Sequence, residues 1–423
     1  MQYYMKTFGC QMNVSDSEML ATLLKERGFS STESEYDADL IVVNTCSVRE
    51  KAEVTAERKI VEFAQRKKKG SQLWVVGCMA QRVGEELIKR IPAITRIIGA
   101  PDMEFLEEHI DNYLEPLGKF SFNDKPKESK WSTFLPIMRG CDKFCTYCIV
   151  PHVRGREHSI DVETIIKQVK ELVASGTKEI TLLGQTVNSY SYEGVDFADL
   201  LELVSDIDGL ERIRFTSPHP KDISNKVIEA MGRLSKVCNH IHLPVQAGSD
   251  VILKRMNRSY TSGEFLERVE QIRAILPDVD ITTDVMVGFP GESEEDFEAT
   301  MNLFKKVRFT SAFMFAYSQR EGTGAAKYKD QIPHEVKVER LNRLVELQTQ
   351  ITKDHYATMV GREVETLLTL HQKGKNGRED HWLGQDYGFK RVLLNSQDLS
   401  LEGKIIRGQV VKSTGMTLVI EEL

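Results

Sequence analysis

The sequence predicts an α/β protein in three parts: an N-terminal open parallel sheet, a central partial barrel of six strand–helix units, and a small C-terminal all-β barrel. Three observations carry this prediction. Up to about residue 115, short apolar runs alternate with longer amphipathic stretches, the rhythm of a parallel sheet. From about 133 to 330 the alternation resumes through six further apolar runs. After Gly361 the long stretches stop, and five short runs separated by turns remain. The expected domains span 1–116, 127–357 and 360–423.

In the first part, Tyr3–Phe8 reads as a strand. A helix follows from about Asp16, with Ser15 and Glu18 spaced as a capping box and Gly28 as its stop. Leu40–Asn44 is continuously apolar up to its last residue, as a strand buried on both faces should be. A charged helix runs from about Arg49 to Lys69. Its basic end, Arg66 to Lys69, suits either the helix dipole or an RNA contact. Leu73–Val76 is a third strand, with a helix near Gly84–Arg90. Ile97 and Ile98 mark a fourth, with a helix after Asp102. Residues 116–132 are polar, carry Pro126 and read as a connector.

The central strands are Phe134–Met138, Glu179–Leu183, Arg212–Phe215, His240–Leu243, Val279–Val287 and Ser311–Tyr317. Helices lie between them, including Asp161–Ser175, Thr261–Leu276 and Ser293–Val307. Thr261 with Glu264, and Ser293 with Asp296, have the spacing of helix caps. An amphipathic helix from Pro333 to about Val360 closes this part. The last strands are Val364–Leu370, His381–Leu383, Lys390–Leu394, Gly403–Lys412 and Thr417–Glu421. Turns at Lys375-Asn376-Gly377 and Asp386-Tyr387-Gly388 separate some of them. A five-stranded barrel of this size is of the kind that binds oligonucleotides.

Composition narrows the function. The 423 residues are 41% hydrophobic and 28% charged, ordinary for a globular chain with sizeable cores. A net charge of −7 excludes a globally basic nucleic-acid binder but leaves room for a local basic patch. No apolar run reaches the roughly 18 residues of a membrane span, and Met1–Asn13 lacks a leader pattern. A cytosolic, monomeric protein with no membrane contact is therefore expected. Seven cysteines without an export signal point to metal or catalysis rather than disulfides.

The cysteines fall into two sets of three and one outlier. Cys10, Cys46 and Cys78 each follow a predicted strand of the first part. Loops at strand carboxyl ends gather on one sheet edge, so these three thiols can converge. Taken singly, each could equally be a small buried hydrophobe. Cys141, Cys145 and Cys148 form C-x3-C-x2-C after the first central strand, at the catalytic face of a barrel. Three thiolates are one short of a closed zinc or iron–sulfur site, which leaves one iron of a cluster open. Cys238 is the candidate fourth ligand for a closed zinc site, or simply a core thiol.

The segment Cys141-Asp142-Lys143-Phe144-Cys145-Thr146-Tyr147-Cys148 resembles the signature of the radical S-adenosylmethionine enzymes. Thr7–Asn13 (TFGCQMN), Asn44–Glu50 (NTCSVRE) and Val76–Arg82 (VGCMAQR) are similar to the three N-terminal motifs of that superfamily's methylthiotransferases. Met138–Glu157, Leu182–Tyr190, Arg214–Pro220 and His242–Ser249 also resemble that family, and Val287–Glu292 resembles a glycine-rich stretch of such barrels. The motifs look most like the branch that acts on a prenylated adenosine beside the tRNA anticodon. Thr186 departs from that branch, where asparagine is expected.

The resemblance implies two 4Fe-4S clusters, one on Cys10, Cys46 and Cys78 and one on Cys141, Cys145 and Cys148. The second would bind S-adenosylmethionine and generate a radical that takes hydrogen from carbon 2 of the base. The first would deliver sulfur, and a further S-adenosylmethionine would supply the methyl group. Such chemistry suits an aromatic C–H that offers no acidic proton. The resemblance also implies that the last domain is a TRAM module, that tRNA is the partner, and that an electron donor and a sulfur source are needed.

Other residues admit two readings. Tyr147, Gln185 and Gln246 could line the S-adenosylmethionine site, or pack and cap loops. Arg154 and Arg156 could hold an RNA phosphate at the site mouth, or form a solvated pair. His219 and His242, near strand ends, read first as structural. A sister activity on a threonylcarbamoylated adenosine or a ribosomal protein is the alternative within the family. A non-catalytic iron–sulfur carrier is the alternative outside it.

Overall fold

The computed structural model describes residues 1–48, 50–107, 110–111, 131–374 and 379–423. Arg49, most of the predicted connector and the Lys375-Asn376-Gly377 turn lie outside the described residues.

The N-terminal sheet is parallel throughout. Its strands are β1 (Gln2–Thr7), β2 (Ser30–Ser31), β3 (Leu40–Thr45), β4 (Gln72–Gly77) and β5 (Arg96–Gly99). The order β2-β1-β3-β4-β5 puts the three strands that precede cysteines side by side. β3 is buried along its whole length, as its apolar run requires. Helices α1 (Gln11–Glu26), α2 (Glu50–Arg66) and α3 (Cys78–Arg90) connect the strands.

Two helix starts differ from the sequence prediction. α1 begins at Gln11, not Asp16, with Cys10 at its N-cap. Ser15 is therefore inside the helix, and its hydroxyl donates to the Phe134 carbonyl at 3.4 Å rather than capping. α3 begins at Cys78 itself and kinks at Val83, which is why only the part after Gly84 reads as helical from sequence. In both cases the chain enters the helix straight from a cysteine loop, without a polar capping side chain to announce it.

All six central strands form: β6 (Ser132–Pro136), β7 (Glu179–Leu183), β8 (Arg212–Phe215), β9 (His240–His242), β10 (Asp280–Val287) and β11 (Ser311–Ala316). They make two parallel three-stranded sheets, ordered β8-β7-β6 and β9-β10-β11. The predicted caps at Thr261 and Ser293 hold, and Asp161 caps a further helix: each accepts a bond from the third helical residue. One apolar core, from Leu135 to Leu344, runs through both sheets and their helices.

The long helix His334–Ala357 leads to a closed barrel of β12 (Glu363–Gln372), β13 (His381–Asp386), β14 (Arg391–Asn395), β15 (Ile405–Ser413) and β16 (Leu418–Glu422). Its turn between β13 and β14 inserts against the amino ends of the central strands. Arg214 donates to the Asp386 carbonyl at 2.7 Å and to Glu179 at 2.8 Å. Arg212 donates to the Gln385 and Glu365 carbonyls, each at 3.0 Å. Lys390 pairs with Asp280 and Asp386, and Phe389 stacks on His240 at 4.7 Å. These charges are buried only because they satisfy each other. The barrel is thus seated on the central domain rather than tethered to it. No helix among the described residues is long and apolar enough to cross a membrane.

Candidate active site: two cysteine trios across a domain boundary

The first trio is assembled by topology. β1, β3 and β4 are adjacent and parallel, so Cys10, Cys46 and Cys78 leave the sheet at one edge. The packing there is tight enough to demand glycine. Gly9 has φ +114°, and a side chain there would lie 2.4 Å from Cys46 Cβ. Gly77, at φ +94°, would collide with the Thr45 carbonyl at 2.6 Å. Cys10 caps α1 and Cys78 opens α3, so two of the thiols sit at helix N-termini.

Asn13 ties the trio together. Its amide nitrogen donates to the Phe8 carbonyl at 2.8 Å and the Thr45 carbonyl at 2.9 Å, the segments that present Cys10 and Cys46. Its amide oxygen faces the Cys10 thiol at 3.7 Å. Asn44 returns a bond to the Asn13 carbonyl at 2.9 Å. The Val48 amide donates to Cys46 Sγ at 3.3 Å. Burial pushes the Cys78 thiol up to about 11, against the pull of Arg154, so it carries its proton until a metal displaces it.

The second trio is assembled locally. Cys141, Cys145 and Cys148 lie on one loop between Met138–Arg139 and the short helix Val150–Arg154. The loop is held from outside: Thr146 N donates to the Met256 carbonyl at 3.0 Å, Thr146 Oγ1 to the Arg255 carbonyl at 2.8 Å, and Asn257 to the Phe144 carbonyl at 3.1 Å. Half-buried Arg258 donates to Cys145 Sγ at 3.5 Å and to the Pro244 carbonyl at 3.1 Å. Thr186 Oγ1 is 3.6 Å from Cys141 Sγ, so the one position that departs from the branch pattern touches a predicted ligand. Burial, reinforced by the neighbouring thiols, pushes Cys148 up to about 12. Four non-glycine residues hold left-handed backbone around this face: Phe144, Ser217, Gln246 and Asn257. Strain of that kind concentrates where a site is over-determined.

All seven cysteines are free. Among the described residues no three His, Cys, Asp or Glu side chains are drawn to the single point a mononuclear metal needs. A cluster takes each thiolate on a different iron, so the donor chemistry of three thiols in each trio suits a four-iron cluster with one iron left over. Cys238 belongs to neither trio. It precedes β9, at the amino end of the parallel strands, and its thiol is buried against Arg214 and Glu179. A closed zinc site with Cys141, Cys145 and Cys148 is therefore ruled out by strand direction.

The remaining predicted residues divide. Tyr147 is half-buried and packs on the central core. Gln185 has a buried amide oxygen without a partner, so its chemistry is still on offer. Gln246 joins the edge of β10, its amide donating to the Asp284 carbonyl at 2.9 Å. The His219 backbone exchanges two bonds with the Asn188 side-chain amide. His242 bonds Thr282 at 3.0 Å and lies 3.5 Å from Asp284. Arg156 is exposed, pairs with Asp142 at 3.0 Å and covers Phe144. Arg154 corrects the prediction of a phosphate contact: its guanidinium is buried, 2.9 Å from Asn13 and 3.2 Å from Asp16. The fold spends its charge inside the domain boundary. Asn13, Asp16, Arg139 and Arg258 were not singled out from sequence, because only the fold brings them to the thiols.

Strand–helix units with a three-cysteine loop at their carboxyl ends define a class. Residues 135–304 match the Radical SAM superfamily, and residues 2–99 match the Uncharacterized protein family UPF0004. The fold is similar to the radical S-adenosylmethionine methyltransferase TsrM from Kitasatospora setae, with a TM-score of 0.57 at 13% identity over 77% of this chain and 74% of that one. It is also similar to the cobalamin-dependent radical enzyme OxsB, with a TM-score of 0.52 at 13% identity over 82% of this chain and 56% of that one. The chain is 44% identical to a tRNA-2-methylthio-N(6)-dimethylallyladenosine synthase of Syntrophus aciditrophicus over 89% of this chain and 85% of that protein. It is 42% identical to the synthase of Geotalea uraniireducens over 97% and 96%. The chain belongs to the family of tRNA-2-methylthio-N(6)-dimethylallyladenosine synthases.

Proposed function

We propose that this protein methylthiolates carbon 2 of N6-isopentenyladenosine beside the anticodon of tRNA. The observation that carries the reading is the pair of cysteine trios on either side of one domain boundary, in a chain aligned almost end to end with named synthases. Cys141, Cys145 and Cys148 would hold one 4Fe-4S cluster and Cys10, Cys46 and Cys78 the other. When bound, the two groups supply the electron that cleaves S-adenosylmethionine and the sulfur that is transferred.

The chain's own residues position and shield. Arg258 and Thr186 hold the barrel thiols in place. Gln185 and Gln246, at the ends of β7 and β9, offer polar contacts to S-adenosylmethionine, with Tyr147 behind the loop. Phe313, half exposed on β11 beside His242, offers an apolar face to the prenyl group. Burying five carbons is worth a few kcal/mol at about 0.8 kcal/mol per CH₂, enough for roughly 10²-fold discrimination.

The domains are 1–116, a six-unit radical SAM core over 127–357, and a TRAM barrel over 360–423. The barrel's exposed Lys373, Arg391, Lys404, Arg407 and Lys412, with Arg156 at the cluster loop, would meet tRNA phosphates. The enzyme works as a cytoplasmic monomer with an external electron donor and sulfur source.

The test offers reconstituted enzyme four substrates: tRNA with isopentenyladenosine, the same tRNA unprenylated, a threonylcarbamoylated tRNA, and a ribosomal protein. Mass spectrometry should find methylthiolation of the first, about 10²-fold faster than of the second. Preference for either of the last two overturns the substrate. Lys404→Glu with Arg407→Glu should weaken tRNA binding and flatten its salt dependence. Unchanged binding overturns the role of the last barrel.

A further inference from the structure

The helix that follows the barrel cysteine loop ends in a side chain that belongs to the other domain. Val150–Arg154 starts two residues after Cys148. Ile149, just before it, and Val153 on it pack with Cys78 and Ala100 of the N-terminal domain in one small buried cluster. Arg154 continues inward. Its guanidinium donates to the Asn13 amide oxygen at 2.9 Å and to Asp16 at 3.2 Å, and its charge faces Cys78 and Cys10. Asn13 in turn bonds the carbonyls beside Cys10 and Cys46. A second cation, Arg139, meets the other oxygen of Asp16 at 2.9 Å.

We infer that Arg154 is a positioning residue that holds the two cysteine trios in register across the domain boundary. One rigid turn of helix separates it from Cys148, and one hydrogen bond separates it from the amide that gathers Cys10 and Cys46. The geometry matters because the substrate atom must be reached from both trios in sequence. An error of about 1 Å in such a placement costs around 10²-fold in rate. Both bonds leave one guanidinium nitrogen, Nη2, while the same planar group also reaches Cys78, so a single side chain with donors at fixed angles spans amide, carboxylate and thiol, which the lone ammonium of a lysine cannot do.

The inference rests on the two-cluster reading, and the experiment separates the two. Reconstituted wild-type chain should hold about eight irons. A value near four overturns the two-cluster reading and the inference with it. With eight present, Arg154→Lys and Arg154→Gln are compared with Arg139→Gln, which disturbs the same carboxylate. Two quantities are read: 5′-deoxyadenosine formed per methylthiolated product, and the electron paramagnetic resonance signal of the N-terminal cluster in a chain whose three barrel cysteines are alanine. Both Arg154 variants should raise the ratio about tenfold or more and shift the signal, with Arg139→Gln moving neither comparably. Equal changes in all three variants would mark a purely structural boundary and overturn the assignment. So would an unchanged ratio and signal in Arg154→Lys, which keeps the charge and guards against a folding failure of Arg154→Gln.

Discussion

The two trios reach similar ends by opposite routes. Cys141, Cys145 and Cys148 are neighbours in the chain, and their loop is braced by side chains and carbonyls from distant segments such as Arg255–Arg258. Cys10, Cys46 and Cys78 are distant in the chain, and most of their brace comes from residues of the cysteine motifs themselves, Asn13 three residues from Cys10 and Asn44 and Thr45 just before Cys46, which bond one another across the sheet edge, with Arg154 added from the central domain. A site made from one loop borrows its rigidity from the fold. A site made by the fold carries most of its rigidity in its own motifs. This explains why the N-terminal motifs extend beyond the cysteines to Asn13 and Asn44.

The comparison can be broken at the thiols first. Cys148→Ala should abolish S-adenosylmethionine cleavage and leave about half the iron, because the barrel site loses one of only three ligands. Full iron with no cleavage would mean that Cys148 is not a ligand. Cys46→Ala should form 5′-deoxyadenosine without methylthiolated tRNA, since the barrel loop is untouched. Product from that variant would remove the N-terminal trio from the reaction.

A smaller effect separates the braces. Asn13→Ala strands two carbonyls and removes one of the two acceptors of the Arg154 guanidinium, and should cost on the order of 2–3 kcal/mol in urea unfolding and lower the iron held by the N-terminal trio. Thr186→Val removes one contact to Cys141 and should cost no more than about 1 kcal/mol. Similar losses from both would dissolve the distinction between the two sites.

Acid supplies the gentlest test. Burial holds His240 well below its usual 6.5, between Arg214, His242, Asp280 and Lys390, and lowers His219 beside Arg258 and Lys143. A base with a lowered pKa in the fold binds its proton more readily when unfolded. Stability is therefore intact above about pH 6.5 and falls below it, by up to about 1.4 kcal/mol per unit for each histidine. The first 108 residues contain no histidine. Mild acid should thus loosen the central domain before the N-terminal sheet, which hydrogen exchange at pH 5.5 and 7.5 can resolve. Equal loosening of both would show that the boundary at Arg154 makes them one cooperative unit.

Much of this molecule is written in local pattern. Strand and helix order, the three-part division, the capping boxes at Thr261 and Ser293 and both cysteine sets follow from periodicity and spacing, because burial on a sheet or helix face repeats at fixed intervals. Even the convergence of Cys10, Cys46 and Cys78 is implied, since parallel strands share a carboxyl edge. What sequence could not decide was the company each side chain keeps. Arg154 and Arg156 are two residues apart and look alike in the chain. The fold buries one against Asn13 and Asp16 and leaves the other in solvent on Asp142. Cys238 is a thiol like the other six, yet it sits at the amino end of its strand among Arg214 and Glu179. Lys390 and Asp280 are 110 residues apart and become a buried pair only when the last barrel seats on the central strands. Secondary structure is set by neighbours in sequence, whereas charge pairing and burial depend on which surfaces meet, and that is settled only when the three domains pack.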